Sequence, residues 1–222
     1  MSEIDVYFVD VNVSEDVIDA LSKLLTPPEL TRADRYRFAD DRRRSIVARA
    51  ATRRFLGRRL DADPQSLVIV EEEHGKPALR DREFEFNASP SGDFVALALA
   101  SETPVGIDVE RRRTLHDAFA LARRYFSSEE VAVVENTADI ESAFLTIWTS
   151  KEAIVKASGK GIGTSDLRSF TVPLRDPQFR PVVDGWSVAA LDPPLDDYYA
   201  AVAARDGIYR LNPHSIDAAA LL

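Results

Sequence analysis

The sequence predicts an α+β fold made of two similar halves, each a long helix packed on a small, mainly antiparallel sheet. Two stretches, at about 40–60 and 139–158, have the length and apolar periodicity of long helices. Each is accompanied by short β-like segments separated by turn residues, which favours antiparallel pairing. Because this order occurs twice along the chain, we expect one half at 1–104 and the other at 105–222.

In the first half, the alternating segment IDVYFVDV at 4–11 predicts a strand, and Pro27–Pro28 are expected to end the short helix that follows. The long helix at about 40–60 comes next. The run FVALALA at 94–100 is typical of a strand buried on both faces. A turn joins it to the segment at 105–110, so these two strands are predicted to form a hairpin.

The second half is predicted to contain three helices and then a set of short strands. The helices lie at about 115–125, 128–134 and 139–158, and the strands near 170–173, 186–191, 198–204 and 208–211. The final residues, AAALL, follow the last predicted strand. Because chain ends are commonly poorly held, we expect this tail to be loose.

Composition excludes several classes of protein. The chain has 222 residues, a formal net charge of −9 and no cysteine, which excludes disulfides, zinc–thiolate sites and thiol nucleophiles. The negative charge argues against a nucleic-acid partner. The N-terminal sequence lacks the pattern of a signal peptide, and no apolar stretch could cross a bilayer. We therefore expect a cytoplasmic protein with no membrane partner.

One segment has the opposite charge to the rest of the chain. Residues 32–59 contain eleven arginines and three acidic residues, which makes them locally +8. A local anion-binding site explains this concentration better than a polyanion-binding protein does. For any single arginine, a solvated helix face remains the better interpretation.

Two short patterns could carry chemistry. Asp108 and Glu110 are two residues apart in a predicted strand, so their carboxylates lie on the same side, where a hard divalent cation would offset their repulsion. The alternative is an ordinary acidic edge exposed to solvent. Glu152 and Lys156 share one face of the predicted helix, with Lys151 beside them. Alone, this helix could equally present a surface ion pair.

Together these patterns resemble the 4′-phosphopantetheinyl transferases of the longer, monomeric Sfp-type class. The resemblance rests first on GIDVE at 106–110 and on W-T-S-K-E-A-x-x-K-A-x-G-K-G-I at 148–162. It extends to HGKP at 74–77, FNAS at 86–89 and RRYFSSEE at 123–130, which follow in the expected order.

The resemblance implies a specific reaction and a set of site residues. Coenzyme A would bind between the two halves, and its phosphopantetheine arm would pass to a serine of an apo acyl, peptidyl or aryl carrier protein. Adenosine 3′,5′-bisphosphate would be released. The implied Mg²⁺ ligands (Mn²⁺ being possible) are Asp108, Glu110 and Glu152, and the catalytic residues are Glu152 and Lys156. Coenzyme A contacts would be Arg44, Ser45, Lys76, Ser89, Lys151 and Lys156. The serine's base would be Glu152 or a water on the metal.

The sequence departs from the family pattern at one position and leaves other functions open. Pro90 stands where the family usually has a histidine that contacts coenzyme A, so that contact is lost or is supplied by an arginine or His74. One alternative function is a non-catalytic module that binds coenzyme A or a carrier protein. Another is a different Mg²⁺ phosphohydrolase. Arginines at 111–124 could dock an acidic carrier, or could be ordinary surface charge.

Overall fold

Two four-stranded sheets packed face to face form the centre of the protein. The structure is a computed structural model that describes residues 2–101, 103–161, 166–183, 185–207 and 209–222. In the part of the chain so described, the sheets have the strand orders β10-β1-β5-β4 and β6-β9-β8-β7, and β2 and β3 form a separate two-stranded ribbon. All neighbouring strands pair antiparallel except β1 and β10, which are parallel.

The helices and strands have the following bounds. The first half contains β1 (Ser2–Asp10), α1 (Glu15–Ser22), α2 (Pro27–Ala33), α3 (Ala39–Leu60), β2 (Ile69–Glu71), β3 (Pro77–Leu79), β4 (Glu85–Ser91) and β5 (Phe94–Ala100). The second contains β6 (Val105–Arg111), α4 (Ala118–Tyr125), α5 (Ser128–Glu135), α6 (Ile140–Ser158), β7 (Arg180–Val183), β8 (Trp186–Leu191), β9 (Tyr198–Arg205) and β10 (Tyr209–Asp217).

Three layers of apolar side chains hold this arrangement together, and they confirm the predicted α+β class. One layer lies between α3 and the first sheet, and another lies between α6 and the second sheet. The third lies between the sheets and joins β1 and β5 to β6 and β9. Strand β5 is buried throughout because Leu97 and Leu99 face α3 whereas Ala96 and Ala98 face the opposite sheet. The four-layer order is therefore helix, sheet, sheet, helix.

The dipeptide Pro27–Pro28 was expected to end the first short helix, but α1 already ends at Ser22 and the two prolines begin α2. Thr26 and Glu29 form a capping box: the Thr26 N–H donates to Glu29 Oε2 at 2.8 Å. Proline suits the first turn of a helix because its missing N–H would have no partner there. The dipeptide therefore starts α2 shortly after α1 has ended.

The C-terminal prediction is also wrong, because the end of the chain is ordered against the first half. Strand β10 pairs along its whole length with β1, and Ala218 and Leu221 are fully buried in the first core. Arg54 donates hydrogen bonds to the carbonyl oxygens of Leu221 and Leu222. The division at residue 104 stays a prediction, but β10 belongs to the first sheet rather than to the second.

Further differences concern local structure. The predicted hairpin of 94–100 with 105–110 is wrong, because β5 belongs to the first sheet and β6 to the second. The segment 170–173 is not a strand, and the edge of the second sheet is formed instead by β7. Ile162, which ends the helix motif, and Ile208, where a strand was expected to begin, lie outside the described residues. Among the described residues, no helix has the length and apolar character needed to cross a membrane.

Candidate active site

The candidate site lies where β4 of the first half meets β6 of the second. Alternate residues of β4 point to the same side and reach across to β6. Asn87 Oδ1 accepts a hydrogen bond from the Ile107 N–H at 2.9 Å. Ser89 Oγ donates to Asp108 Oδ1 at 2.8 Å. The two halves are thus joined by polar contacts at the position of the predicted carboxylates.

Helix α6 brings Glu152 and Lys156 to the same place. Lys156 Nζ lies 2.6 Å from Asp108 Oδ1 and donates to Ser89 Oγ at 3.0 Å. The helix can approach β6 because Gly106 has no side chain: a Cβ there would lie 2.2 Å from the carbonyl oxygen of Ala153. The glycine of the GIDVE pattern therefore sets the distance between the strand and the helix.

Among the residues that the structure describes, two buried carboxylate oxygens at this site have no hydrogen-bond partner. They are Asp108 Oδ2 and Glu152 Oε1. A buried anionic oxygen without a partner is costly, so such atoms mark a position where a cation can bind. Carboxylate oxygens are the donors that Mg²⁺ prefers. The donor set therefore fits a divalent cation, although in the described part of the chain no three His, Asp or Glu side chains are arranged as a complete metal site.

The pKa values of Glu110 and Glu152 are both raised, as expected for carboxyl groups that are buried close to one another. Burial, and next the charge of Asp108, raise the pKa of Glu152 to about 7. The same two causes, in the same order, raise the pKa of Glu110, with Arg113 and Ser91 opposing them. Each carboxylate is thus harder to ionise because its neighbour is negative and water is largely excluded. A bound cation would reverse that effect.

Lys151 does not belong to this site, so its expected contact with coenzyme A is corrected. Its side chain is fully buried and forms an ion pair with Glu130 at 2.8 Å. The ammonium also donates to the carbonyl oxygens of Leu167 and Phe170, at 2.7 and 2.6 Å. All three of its protons are therefore used inside the protein. Adjacent residues of a helix point about 100° apart, so Lys151 faces the core while Glu152 faces the site.

A cavity of about 310 Å³ opens beside Glu152 and Lys156 and includes Lys76, His74 and Gly159 in its wall. Lys76 Nζ donates to the carbonyl oxygens of Val105 and Ala157, at 3.2 and 3.1 Å. Burial lowers the pKa of Lys76. Lys76 therefore lies on a cavity next to the carboxylates, and it also ties the 74–77 turn to the second half.

A second cavity, of about 200 Å³, lies on the other side of that turn. Gly75 and Pro77 line both cavities, so the two are adjacent. The second cavity is also lined by Ser45, Pro90, Arg32, Arg49, Tyr36, Thr52, Glu29 and Glu71. Pro90 shares this cavity with Arg32 and Arg49, whereas His74 lines the first cavity.

Sequence reasoning missed Arg49, although a signal was present. Arg49 lies four residues after Ser45 on α3, hence on the same helix face. It forms an ion pair with Glu29 at 3.3 Å, but Arg53 already binds both oxygens of Glu29, at 2.8 and 2.9 Å. Burial lowers the pKa of the Arg49 guanidinium. The guanidinium of Arg49 thus lines the cavity and shares its counter-charge, Glu29, with Arg53.

Arg44 and Ser45, both expected to contact coenzyme A, line different cavities. Arg44 lines a separate cavity of about 380 Å³. Its guanidinium donates to the Gly92 carbonyl oxygen at 3.0 Å and to Asp41 at 2.6 Å. The reason is again helical geometry, since consecutive residues of α3 point in different directions.

The arginines at 111–124 are mostly paired with acids. Arg111 contacts Asp93 and Asp197, Arg112 contacts Asp139, Arg113 contacts Glu110 and Arg123 contacts Glu135, at 2.7–3.4 Å. Arg124 lies over the ring of Tyr125. Because these acids offset most of the positive charge, the structure gives little support to a basic docking patch in this segment.

Comparisons with known proteins fit this geometry. Residues 12–103 match the family model described as 4′-phosphopantetheinyl transferase, N-terminal, and residues 104–202 match the 4′-phosphopantetheinyl transferase superfamily. The chain is 31% identical over 207 residues to 4′-phosphopantetheinyl transferase HetI of Nostoc sp. (strain PCC 7120), an alignment that covers 90% of this chain and 87% of that protein. The chain belongs to the 4′-phosphopantetheinyl transferase family.

Two other members of this family show similar relationships. 4′-Phosphopantetheinyl transferase psf-1 of Bacillus pumilus is 33% identical over 162 residues, covering 72% of this chain and 68% of psf-1. 4′-Phosphopantetheinyl transferase Sfp of Bacillus subtilis is 26% identical over 170 residues, covering 75% of this chain and 74% of Sfp. The Sfp-type resemblance inferred from the sequence motifs is therefore confirmed.

Proposed function

We propose that the protein transfers the 4′-phosphopantetheine arm of coenzyme A to a serine hydroxyl of an apo acyl, peptidyl or aryl carrier protein. The reaction would require Mg²⁺ or Mn²⁺ and release adenosine 3′,5′-bisphosphate. One observation carries this proposal in a member of the phosphopantetheinyl transferase family. Asp108 Oδ2 and Glu152 Oε1 are buried beside the Lys156 ammonium and a cavity, with no hydrogen-bond partner in the described part of the chain.

Asp108, Glu110 and Glu152 are the proposed metal ligands. Mg²⁺, when bound, supplies positive charge that offsets the charge on pyrophosphate oxygens. Lys156 has a different role in this proposal. Its ammonium lies between Asp108 and Ser89, where it can bind a pyrophosphate oxygen and stabilise the leaving phosphate as a point charge. Ser89 would orient both Asp108 and Lys156.

The chemistry needs one proton transfer. The carrier serine oxygen forms a bond to the phosphorus that bears the pantetheine group. The bond from that phosphorus to the bridging oxygen breaks, and the electron pair leaves with adenosine 3′,5′-bisphosphate. The serine proton must pass to a base, for which Glu152 is the first choice. Glu152 lies on the cavity that would hold the pyrophosphate, within reach of a serine placed there.

The adjacent cavities suggest how coenzyme A lies. Its pyrophosphate would lie at the cavity with Glu152 and Lys156, next to Lys76. Its nucleotide end would cross the turn at 74–77 and enter the cavity lined by Ser45 and Arg49. Both cavities share Gly75 and Pro77, which supports one ligand spanning the two.

A mass measurement tests the proposed function. The protein is incubated with coenzyme A, Mg²⁺ and a panel of apo carrier proteins, and each carrier is weighed. We expect a gain of about 340 Da, the mass of the transferred arm, that disappears with EDTA or in Asp108→Ala. Coenzyme A binding without a mass gain on any carrier would instead support a non-catalytic binding module. Full activity of Asp108→Ala would overturn the metal assignment.

The monomeric state and the cytoplasmic location remain predictions from the sequence, which does not identify the carrier protein. Analytical ultracentrifugation would test the oligomeric state. We expect a single sedimenting species with a mass near that of one chain, 24.7 kDa. A dimer at micromolar concentration would contradict it.

A further inference from the structure

Ser91, the last residue of β4, makes two hydrogen bonds to β6. Its hydroxyl donates to Glu110 Oε2 at 3.0 Å and accepts from the Arg111 N–H at 3.1 Å. Because the hydroxyl both donates and accepts, the two hydrogen bonds together hold the Ser91 side chain in one rotamer. Ser91 thus continues the alternation of Asn87 and Ser89 along β4, and it contacts the carboxylate that those two residues do not reach.

The other contact to this oxygen is weaker. Arg113 reaches Glu110 Oε2 at 3.4 Å, and its side chain is 63% exposed. A long ion pair at the surface is screened by water and contributes little. Ser91 therefore supplies the short, partly buried contact that determines how the Glu110 side chain lies.

We infer that Ser91 is a positioning residue for the metal ligand Glu110. By occupying Oε2 it leaves Oε1 as the oxygen available to a cation, and through the Arg111 N–H it ties that orientation to the backbone of β6. This inference rests on the proposed function, because it requires Glu110 to be a metal ligand. Hydrogen bonds of this kind to ligand carboxylates commonly change metal affinity about 10- to 100-fold when removed.

A matched pair of variants separates the hydroxyl from the shape of the side chain. Ser91→Thr keeps the hydroxyl, whereas Ser91→Val has the same branched shape without it. Both are β-branched and suit a strand, so their effects on folding should be similar. Ser91→Ala gives a third comparison. Arg113→Gln is the control for the weaker contact.

The experiment measures Mn²⁺ binding to metal-free protein by electron paramagnetic resonance, without coenzyme A or carrier. We expect Ser91→Val and Ser91→Ala to bind Mn²⁺ about 10-fold more weakly, and Ser91→Thr and Arg113→Gln to stay within about 3-fold of the unmodified protein. Coenzyme A affinity in EDTA should be the same in all four variants. Ser91→Val with normal Mn²⁺ affinity would overturn the inference.

Two other results would also overturn it, for different reasons. If Ser91→Val and Ser91→Thr lose Mn²⁺ affinity equally, the hydroxyl is not the cause and Ser91 serves only the strand contact. If Glu110→Gln binds Mn²⁺ normally, Glu110 is not a ligand, and both the inference and the proposed ligand set fail. Normal transfer activity in a Glu110 variant would separate that failure from a failure of the proposed function itself.

Discussion

Gly106 of β6 lies directly against the backbone of Ala157 in α6. A Cβ at Gly106 would be 2.2 Å from the Ala157 nitrogen and 2.2 Å from the Ala153 carbonyl oxygen. Neither neighbour is the end of a flexible side chain, so the helix itself would have to move. Because Glu152 and Lys156 are carried by that helix, the missing side chain controls their distance from Asp108.

Gly106→Ala should therefore reduce both stability and transfer. We expect a loss of about 3 kcal/mol in the free energy of unfolding and a decrease of about 100-fold in kcat/KM, since a shift near 1 Å is enough for the latter. Urea denaturation and the carrier mass assay measure the two effects. Gly185→Ala, outside the site, is the control: its added Cβ would lie 3.5 Å from Arg205 Nη1, an ordinary contact, although its φ of +77° costs some strain. Equal effects of the two substitutions would contradict this account.

The buried ion pair between Lys151 and Glu130 predicts a large effect on stability. Lys151→Met should lower the free energy of unfolding by about 3–5 kcal/mol, because it leaves the Glu130 charge buried and removes three hydrogen bonds. Arg123→Met breaks an ion pair with Glu135 at the surface and should change it by less than about 1 kcal/mol. Similar losses of unfolding free energy in the two variants would show that burial does not determine how much each ion pair contributes to stability.

Glu152→Gln should make the metal-free protein more stable while preventing transfer. The substitution removes a buried charge that Asp108 repels, on a carboxylate whose Oε1 has no partner among the described residues. We expect a gain of about 1–3 kcal/mol, measured by urea denaturation in EDTA. Asp108→Asn is the comparison, and it should gain less because it also loses the contact with Lys156. A less stable Glu152→Gln protein would argue that Glu152 stabilises the fold.

Arg49 should distinguish coenzyme A from its analogue without the 3′-phosphate. If Arg49 contacts that phosphate at the nucleotide end, Arg49→Gln should weaken binding of coenzyme A by about 10-fold and leave binding of 3′-dephospho-coenzyme A nearly unchanged. Isothermal titration with both ligands measures the difference. Arg44→Gln, in the separate cavity, should affect both ligands little. An equal loss for both ligands in Arg49→Gln would assign Arg49 a structural role.

The lowered pKa of Glu29 predicts how the free energy of unfolding changes at acidic pH. Burial acts to raise the pKa of Glu29, but hydrogen bonds from Arg53 and Thr26 outweigh it and hold the pKa below its usual value. Such a group stabilises the folded state above its unfolded pKa, and that contribution is lost as the pH falls through the folded pKa. Between about pH 5 and pH 3, unfolding free energy should therefore fall more steeply in the unmodified protein than in Glu29→Gln. Parallel curves would contradict the prediction.

Much of the fold could be predicted because its signals are local. Helices α3 and α6 and the doubly buried strand β5 follow from apolar periodicity and length. The approach of Glu152 and Lys156 to Asp108 was expected from the family resemblance, since spacing within one helix cannot show which strand it faces. Lys151 could not be distinguished from Lys156 in this way, because its partner Glu130 is far along the chain.

Other features depend on long-range contacts that leave no pattern in a short window of sequence. The pairing of β10 with β1 joins residues about 200 positions apart. Arg49 is a candidate anion-binding residue because Arg53 binds Glu29 more closely and leaves Arg49 with a weaker ion pair. The role of Pro27 was ambiguous, since the same residue can stop one helix and start another.

Strand β10 has a consequence for how the protein is made. Its partner β1 leaves the ribosome first, but β10 emerges only after the whole second sheet has been synthesised, since it follows β9 in the chain. Parallel pairing of such distant segments requires a large loop to close. During synthesis, β1 therefore has one edge without its final neighbour. Nascent chains halted near residue 205 should expose that edge to chaperones, and their release should depend on the last strand arriving.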